Sequence, residues 1–153
     1  MPRIVSDIAD AFVFRKIHAR PQFLLLLRRH SGPMGGAWQA IHAQIDPDET
    51  AVQAVLREVQ DCTGLTPLAV YSADFVSQIY DHSTDALVLS PAFALEVSPQ
   101  LTPVLSPAFV DHAWCDLEET TARLPWTSQR WAVRHIYDVI ALGGDEAELY
   151  RIA

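Results

Sequence analysis

Basic residues are scarce in this chain. Its 153 residues include 11 Lys plus Arg against 19 Asp plus Glu, which gives a formal net charge of −8. Proteins that bind nucleic acid or anionic membranes non-specifically present basic surface to the phosphates. The charge balance therefore argues against both kinds of partner, and we expect neither nucleic acid nor membrane to be bound.

Cysteines and long apolar runs are equally sparse. Cys62 and Cys115 are the only cysteines, too few for the disulfide framework of a small secreted domain. The longest apolar run, residues 23–27, is far shorter than the roughly 20 residues of a membrane-spanning helix. The first residues also lack the charged and apolar regions of a signal peptide. We therefore expect a cytoplasmic protein.

The composition is that of a globular protein. Half of the residues are hydrophobic and a fifth are charged, as in ordinary folded domains. A chain of this length forms one domain and buries about two thirds of its unfolded surface. We expect a single domain over residues 1–153.

Residues 50–63 have the pattern of an amphipathic helix. An apolar stripe recurs at helical spacing, formed by Val52, Val55, Leu56 and Val59. Two start signals overlap: residues 46–49 combine acids with a proline, and Thr50 with Gln53 makes a capping box. Gly64 supplies the stop, because glycine tolerates the left-handed conformation that ends helices.

The polar face of this helix gathers Glu58, Asp61 and Cys62 beside the small residues Ala51 and Ala54. Positions three and four apart lie on the same side of a helix. Two carboxylates one turn apart suit a hard divalent cation with a bound phosphate. A solvated acidic helix face is the alternative interpretation.

The spacing of the charged residues resembles the Nudix box: Gly, five residues, Glu, seven residues, then Arg-Glu-apolar-x-Glu-Glu-x-Gly-apolar. Six positions match in register, namely Glu49, Arg57, Glu58, Val59, Gly64 and Leu65. Three positions depart from the box: Ala43 stands for the glycine, Asp61 for the first glutamate of the pair and Cys62 for the second. We therefore expect a Nudix fold with an altered site.

The flanking sequence also resembles this family. A strand ending at Arg28 and Arg29 is followed by a Gly/Pro loop at residues 30–37 and by Trp38. Residues 38–43, Trp-Gln-x-Ile-x-Ala, look most like the bacterial dihydroneopterin triphosphate/dATP pyrophosphohydrolase subgroup. Near the other end of the chain, Trp114 precedes Asp-Leu-Glu-Glu, as in the last strand and following helix of the family.

The resemblance implies hydrolysis of a phosphoanhydride bond in a nucleoside diphosphate-linked small molecule, with Mg²⁺ or Mn²⁺ as cofactor. By position, Glu58 and Asp61 are the expected metal ligands. The expected catalytic residues are Glu58, Arg57 and Glu49. Arg28 and Arg29 are candidate phosphate contacts, because arginine forks match phosphate oxygens.

Cys62 keeps other interpretations open. A thiol is a soft donor that stays mostly protonated near neutral pH, whereas Mg²⁺ prefers hard oxygen ligands. The chain is therefore either a hydrolase or a catalytically impaired Nudix module that binds a nucleotide or a protein partner. A third hypothesis recruits Mn²⁺ or Zn²⁺ to His42, Cys62 and Glu58. A homodimer is left open.

The family fold implied is α/β (α+β), an α/β/α sandwich with a mixed β-sheet. The strands are predicted at residues 11–17, 23–29, 38–45, 68–79, 86–97 and 109–115. The helix at 50–63 and another at 128–142 should cover opposite faces of the sheet. Pro91 predicts an edge or a bulge in its strand. Trp126 and Trp131, which could stack on a base, are expected to be core residues.

Overall fold

The computed structural model describes residues 1–31 and 35–153; part of the predicted loop at 30–37 therefore lies outside the described residues. The strands are β1 (Arg3–Val5), β2 (Ile8–Ile17), β3 (Arg20–Arg28), β4 (Trp38–Gln39), β5 (Ile41–Gln44), β6 (Ala69–Asp81), β7 (Ala86–Glu96) and β8 (Phe109–Cys115). The helices are α1 (Ala51–Thr63), α2 (Leu117–Arg123) and α3 (Thr127–Ile136), followed by a π-helical turn (Tyr137–Ala141) and a 3₁₀ helix (Gly144–Tyr150). Strand β1 and the 3₁₀ helix lie outside the elements predicted from sequence.

The strands form one eight-stranded mixed sheet. Its path is β1-β7-β2-β3-β4, while β5 pairs with β2, β6 with β7 and β8 with β3. Strand β7 runs parallel to both β1 and β2, and the remaining pairs are antiparallel. The mixed sheet of the prediction is thus confirmed.

Alternating side chains of the central strands build two separate cores. Phe12 and Phe14 of β2 pack with Ile136 of α3 in one core. Ala11 and Val13 of the same strand pack on the opposite side, in the core that contains the buried residues of α1. Neighbouring residues of a strand point to opposite faces, so α1 and α3 cover opposite faces of the sheet. This confirms the α/β/α sandwich.

Pro91 lies in a central strand, not at an edge. Along β7, residues 86–88 pair with β1 and residues 92–96 pair with β2. Pro91 falls between these two segments, where its missing N–H interrupts no ladder on that side. On the other side the register of β6 shifts between Ser72 and Val76, and Val76 lies opposite Pro91. The bulge that proline predicted is therefore in the neighbouring strand, and the predicted edge is wrong.

Helix α1 begins at the second of its two start signals. The Thr50 hydroxyl accepts from the Gln53 N–H at 3.1 Å, and the Gln53 side chain accepts from the Thr50 N–H at 2.9 Å. At the other end Gly64 adopts a left-handed φ of 68° and donates to the Gln60 carbonyl. The sequence between these caps has no helix breaker, so both boundaries are set locally.

The C-terminal helix is shorter than its sequence pattern indicated. After Ile136 the backbone widens into a π-helical turn, in which the Leu142 N–H donates to the Tyr137 carbonyl at 3.0 Å. Gly143 follows, where a Cβ atom would lie 2.1 Å from the Val139 carbonyl oxygen. A residue without a side chain is therefore required there. The part of the chain that the structure describes holds no helix long and apolar enough to cross a membrane.

The prediction that Trp126 and Trp131 are core residues is wrong. Their exposed fractions are 52% and 64%. Trp126 is the residue that precedes α3, and Trp131 lies on the solvent side of that helix, opposite the buried Ala132, Val133 and Ile136. Helical spacing of aromatic residues did not distinguish the buried side from the exposed one.

Candidate active site

Arg57 connects the charged residues of the predicted box. Its Nε and Nη2 atoms donate to the two carboxylate oxygens of Glu49 at 2.8 and 2.9 Å. Nη2 also donates to the Gln44 carbonyl at 2.8 Å, and Nη1 donates to Glu58 Oε2 at 3.3 Å. One planar guanidinium therefore ties the loop before α1, the end of β5 and the acid on α1 together.

Glu49 is held in its ionised form by this contact. Two hydrogen bonds lower the pKa of Glu49 to about 2: the larger effect comes from the Arg57 side chain and the smaller from the Asp46 N–H. The Glu49 carboxylate in turn raises the pKa of Arg57. Glu49 therefore acts as a fixed negative partner that orients Arg57, and through it Glu58.

Cys62 lies directly beside Glu58. Its Sγ donates to Glu58 Oε1 at 3.2 Å, so both Glu58 oxygens receive a hydrogen bond, one from Cys62 and one from Arg57. The thiol is only 6% exposed. Burial, followed by the hydrogen bond to Glu58, raises the pKa of Cys62 to about 12. The thiol therefore stays protonated and acts as a donor to the carboxylate, unlike the glutamate expected in the box.

A cavity of about 340 Å³ opens above Glu58. We call it the Glu58 pocket; it is lined by Arg28, Gln39, Ile41, His42, Glu58, Ala108 and Phe109. The Arg28 guanidinium lies over the Phe109 ring, 5.5 Å from its centroid. The pocket thus combines one carboxylate with one arginine, an arrangement suited to a phosphate group that also carries a cation.

The structure separates the two arginines predicted to contact phosphate. Arg28 lines the Glu58 pocket, whereas Arg29 donates to the Pro107 carbonyl at 2.8 Å. Asp61, the second predicted metal ligand, is exposed on α1 and is not among the described residues that line the pocket. The box position Ala43 is fully buried in the core beneath α1.

Acids outside the box lie away from this pocket. Glu96, at the end of β7, is in register with Phe14, whose ring belongs to the core on the α3 side of the sheet. Asp111 is exposed on β8, where its carboxylate accepts from the His112 N–H at 2.8 Å. Neither acid is among the described residues that line the Glu58 pocket.

His42 joins two strands and a helix through hydrogen bonds that the sequence did not reveal. Its Nδ1 lies 2.6 Å from Asp10 Oδ1, and its Nε2 lies 3.1 Å from Gln129 Nε2. Asp10 and His42 are cross-strand partners in β2 and β5. Because Nε2 of His42 must accept from the Gln129 amide in this orientation, Nδ1 carries the proton and donates to Asp10.

These contacts contradict the hypothesis of a soft metal site at His42, Cys62 and Glu58. Both ring nitrogens of His42 are engaged, and the Cys62 thiol is protonated. Over residues 1–31 and 35–153, no group of three or more His, Cys, Asp or Glu side chains is arranged to hold a metal ion. A cation would therefore need further oxygen atoms from its ligand.

A second cavity, of about 250 Å³, lies on the other side of His42. We call it the Gln129 pocket; it is lined by Ile8, Asp10, His42, Ser77, Ile79, Ser90, Trp126, Ser128 and Gln129. Two of its residues, Ser90 and Gln129, have a buried side-chain oxygen without a hydrogen-bond partner in the described part of the chain. In the sequence, the only indication of a binding site here was that Trp126 could stack on a base.

The mixed sheet between two helical layers defines an α/β/α sandwich, and comparison with known proteins identifies the family to which it belongs. The NUDIX domain model matches residues 8–136, so the chain belongs to the Nudix hydrolase family. The predicted resemblance is confirmed.

Individual relatives are similar to the chain at low sequence identity, two of them in structure and one in sequence. A C. elegans Ap4A hydrolase superposes with a TM-score of 0.71 at 20% identity, over 87% of this chain and 95% of that chain. The E. coli dihydroneopterin triphosphate pyrophosphohydrolase gives 0.67 at 18%, over 83% and 91%. A Myxococcus xanthus octanoyltransferase is 28% identical over 115 residues, 74% of this chain. The chain spans 32% of the length of that protein.

Proposed function

We propose that the chain hydrolyses a phosphoanhydride bond in a nucleoside diphosphate-linked small molecule, in the presence of Mg²⁺ or Mn²⁺. The observation that carries the proposal is the position of Glu58. Its two oxygens are oriented by Arg57 and Cys62, and together with Arg28 it lines a cavity of about 340 Å³.

The protein groups divide the work by charge. Arg28 binds phosphate oxygens and offsets their negative charge. Glu58 acts on the attacking water or holds the cation, in an orientation fixed by Arg57 and, through Arg57, by Glu49. Arg29, the other predicted contact, donates through Nε to the Pro107 carbonyl and is not among the described residues that line the pocket.

Two carboxylates one turn apart fit a cation that arrives with its substrate. Mg²⁺ commonly binds proteins through one or two carboxylates and takes its other ligands from phosphates and water. Glu58 and Asp61 would hold it in this way. When bound, such a cation neutralises charge that develops on the phosphate oxygens.

A phosphate-release screen tests the proposal. Nucleoside triphosphates, dinucleoside polyphosphates and nucleotide sugars are incubated with the full chain in Mg²⁺ and, in parallel, in Mn²⁺. Turnover of at least one compound that disappears with EDTA is the expected result. Absence of turnover from every compound with either metal would overturn the proposal.

One observation favours a second candidate, a catalytically impaired Nudix module that binds a nucleotide or a protein partner. The Cys62 thiol occupies Glu58 Oε1, where the family box would place another carboxylate. If no compound releases phosphate in the screen and nucleotide raises the melting temperature of the protein, this candidate is supported. Glu49, Arg57 and Glu58 are all present at their positions in the box and are joined by hydrogen bonds, which supports the hydrolase instead.

A further inference from the structure

Strand β6 has one edge that the sheet leaves largely unpaired. Its 13 residues pair with β7 on one side only. On the other side the end of the chain adds a short antiparallel segment, in which Val70 donates to the Ala153 carbonyl and accepts from the Ile152 N–H, both at 2.8 Å. Beyond Tyr71, no backbone hydrogen bond within the described part of the chain reaches that edge. The backbone groups of residues 72–81 that point away from β7 are therefore available to a further strand.

The other edges of the sheet carry features by which proteins discourage edge pairing, namely short length or charge. Strand β1 has three residues, β4 has two and β5 has four. Strand β8 carries the exposed Asp111. In β6, by contrast, residues 75–80 are Phe-Val-Ser-Gln-Ile-Tyr, with neither a charged residue nor a proline. This segment is therefore the edge of the sheet that is open to pairing.

A groove of about 280 Å³ lies between this edge and α3. We call it the edge groove; it is lined by Phe75, Val76, Ser77, Gln78, Ser128 and Trp131. Because consecutive residues of a strand point to opposite faces, a groove lined by four consecutive residues follows the edge of the strand and not one face. Trp131 is 64% exposed and Val76 is 47% exposed. A strand added at this edge would cover both apolar side chains.

The charges indicate which strand fits. The chain has a net charge of −8, so two copies repel each other over most of their surface. Residues 75–80 are uncharged, and two copies of this segment can lie side by side without opposing like charges. A two-fold axis makes the two strands antiparallel, so Asp81 of one copy lies near the Phe75 end of the other. At that end α3 carries the exposed Arg134, next to His135, whose ring centroid is 6.4 Å from that of Phe75. The segment is therefore complementary to a second copy of itself.

We propose that the outer edge of β6 forms the interface of a two-fold dimer of this chain. Residues 75–80 of the two copies pair as antiparallel strands, and Trp131 of each copy packs against the strand of the other. The sheet of one copy then continues into the sheet of the second. The edge groove shares no residue with the Glu58 pocket, so the inference is independent of the proposed hydrolysis.

Analytical ultracentrifugation of the full chain over a range of concentrations tests the dimer. The expected mass is twice the 17.0 kDa of one chain. Val76→Lys places a charge on the open edge, as natural edge strands do, and should raise the dimer dissociation constant at least roughly tenfold. Val110→Lys is the matched control, because Val110 on β8 is 46% exposed against 47% for Val76. A parent that is monomeric at every concentration, or equal weakening in the two variants, would overturn the proposal.

Trp131→Ala is a second variant, which serves if Val76→Lys fails to fold. It shortens an exposed side chain, so the fold should be retained, and the dimer dissociation constant should rise roughly tenfold. Trp126→Ala is its control, because Trp126 is 52% exposed but is not among the described residues that line the edge groove. A dimer that is weakened equally by both changes, or by neither, contradicts this interface.

Hydrogen exchange tests the strand pairing itself. The outward-pointing backbone amides of residues 75–80 should exchange slowly in the dimer and quickly after dilution to the monomer. Val76→Lys should show fast exchange in this segment at both concentrations. The amides of β8, residues 109–115, serve as the internal control and should not respond to dilution. If the parent dimerises but exchange in residues 75–80 is the same before and after dilution, the copies meet elsewhere and the inference is wrong.

Discussion

The Glu58 pocket and the Gln129 pocket share His42 but differ in how fully their polar groups are hydrogen-bonded. In the first, Glu49, Arg57 and Glu58 are joined by hydrogen bonds of 2.8 to 3.3 Å. In the second, neutral oxygens of Ser90 and Gln129 are buried without partners.

The charged side chains of the first pocket are partly exposed, at 18% for Glu49, 28% for Glu58 and 34% for Arg57. Water can solvate them, so their hydrogen bonds mainly fix their orientation. A neutral oxygen left unpaired costs about 1–3 kcal/mol, which a folded protein can tolerate. The side chains of the Glu58 pocket are therefore held in one arrangement by their own hydrogen bonds, whereas the Gln129 pocket contains two neutral oxygens without partners among the described residues.

The largest predicted effect comes from removing the charge of Glu58. Glu58→Gln keeps the side-chain volume and removes the charge, so turnover should fall several hundred-fold, about 4 kcal/mol in activation free energy. Glu118→Gln, at an exposed position of α2, is the control and should keep full turnover. Near-normal turnover of folded Glu58→Gln would show that the chemistry lies elsewhere.

Arg57→Lys tests whether the geometry of the charged pocket matters beyond its net charge. Lysine keeps the positive charge but cannot reach both Glu49 oxygens, the Gln44 carbonyl and Glu58 together. Turnover should fall roughly 10- to 100-fold, because Glu58 loses its fixed orientation. Steady-state kinetics provide the measurement. Arg134→Lys, an exposed change on α3, should leave turnover unaltered; parent-like rates in both variants would contradict the prediction.

Cys62→Glu tests the departure of this chain from the family box. The new carboxylate would lie beside Glu58, where the thiol now donates at 3.2 Å. Without metal the variant should melt at a lower temperature, because it adds a partly buried acid next to another acid. Mg²⁺ should stabilise it more than the parent, and turnover should be at least as high.

The matched control for Cys62→Glu is Cys62→Gln, because glutamine has nearly the same size as glutamate but no charge. In melting curves recorded over a Mg²⁺ titration, only the glutamate variant should show a larger rise in melting temperature than the parent. If both variants respond to Mg²⁺ like the parent, position 62 does not face the cation.

The smallest expected effect is a change in acid stability. Arg57 lowers the pKa of Glu49 to about 2 in the folded chain, against about 4.3 for an unperturbed glutamate. The stabilisation is therefore complete above about pH 4.5 and is lost as the pH falls toward 2. Glu49→Gln should melt below the parent at pH 6, and the gap should narrow between pH 4.5 and 2. If the difference in melting temperature between the parent and Glu49→Gln stays constant across that range, ionised Glu49 is not the source of the acid-dependent stability.

The box and its helix were predictable because their signals are local. The capping box of Thr50 and Gln53, the stop at Gly64 and the spacing from Glu49 to Arg57 all lie within one short stretch. Over so few residues, backbone geometry alone brings the groups together. Alternating and periodic apolar residues likewise predicted a sandwich with α1 and α3 on opposite faces of the sheet.

Strand register and long-range packing decided the rest. Asp10 meets His42 across 32 positions of sequence, and Gln129 meets His42 across 87. The exposure of Trp126 and the central position of Pro91 also depend on which elements become neighbours. A sequence pattern specifies which residues favour burial, but not which distant residue will face them. The contacts among Glu49, Arg57 and Glu58 were therefore determined by the local sequence, whereas the contacts of His42 with Asp10 and Gln129 exist only because the fold places β2, β5 and α3 together.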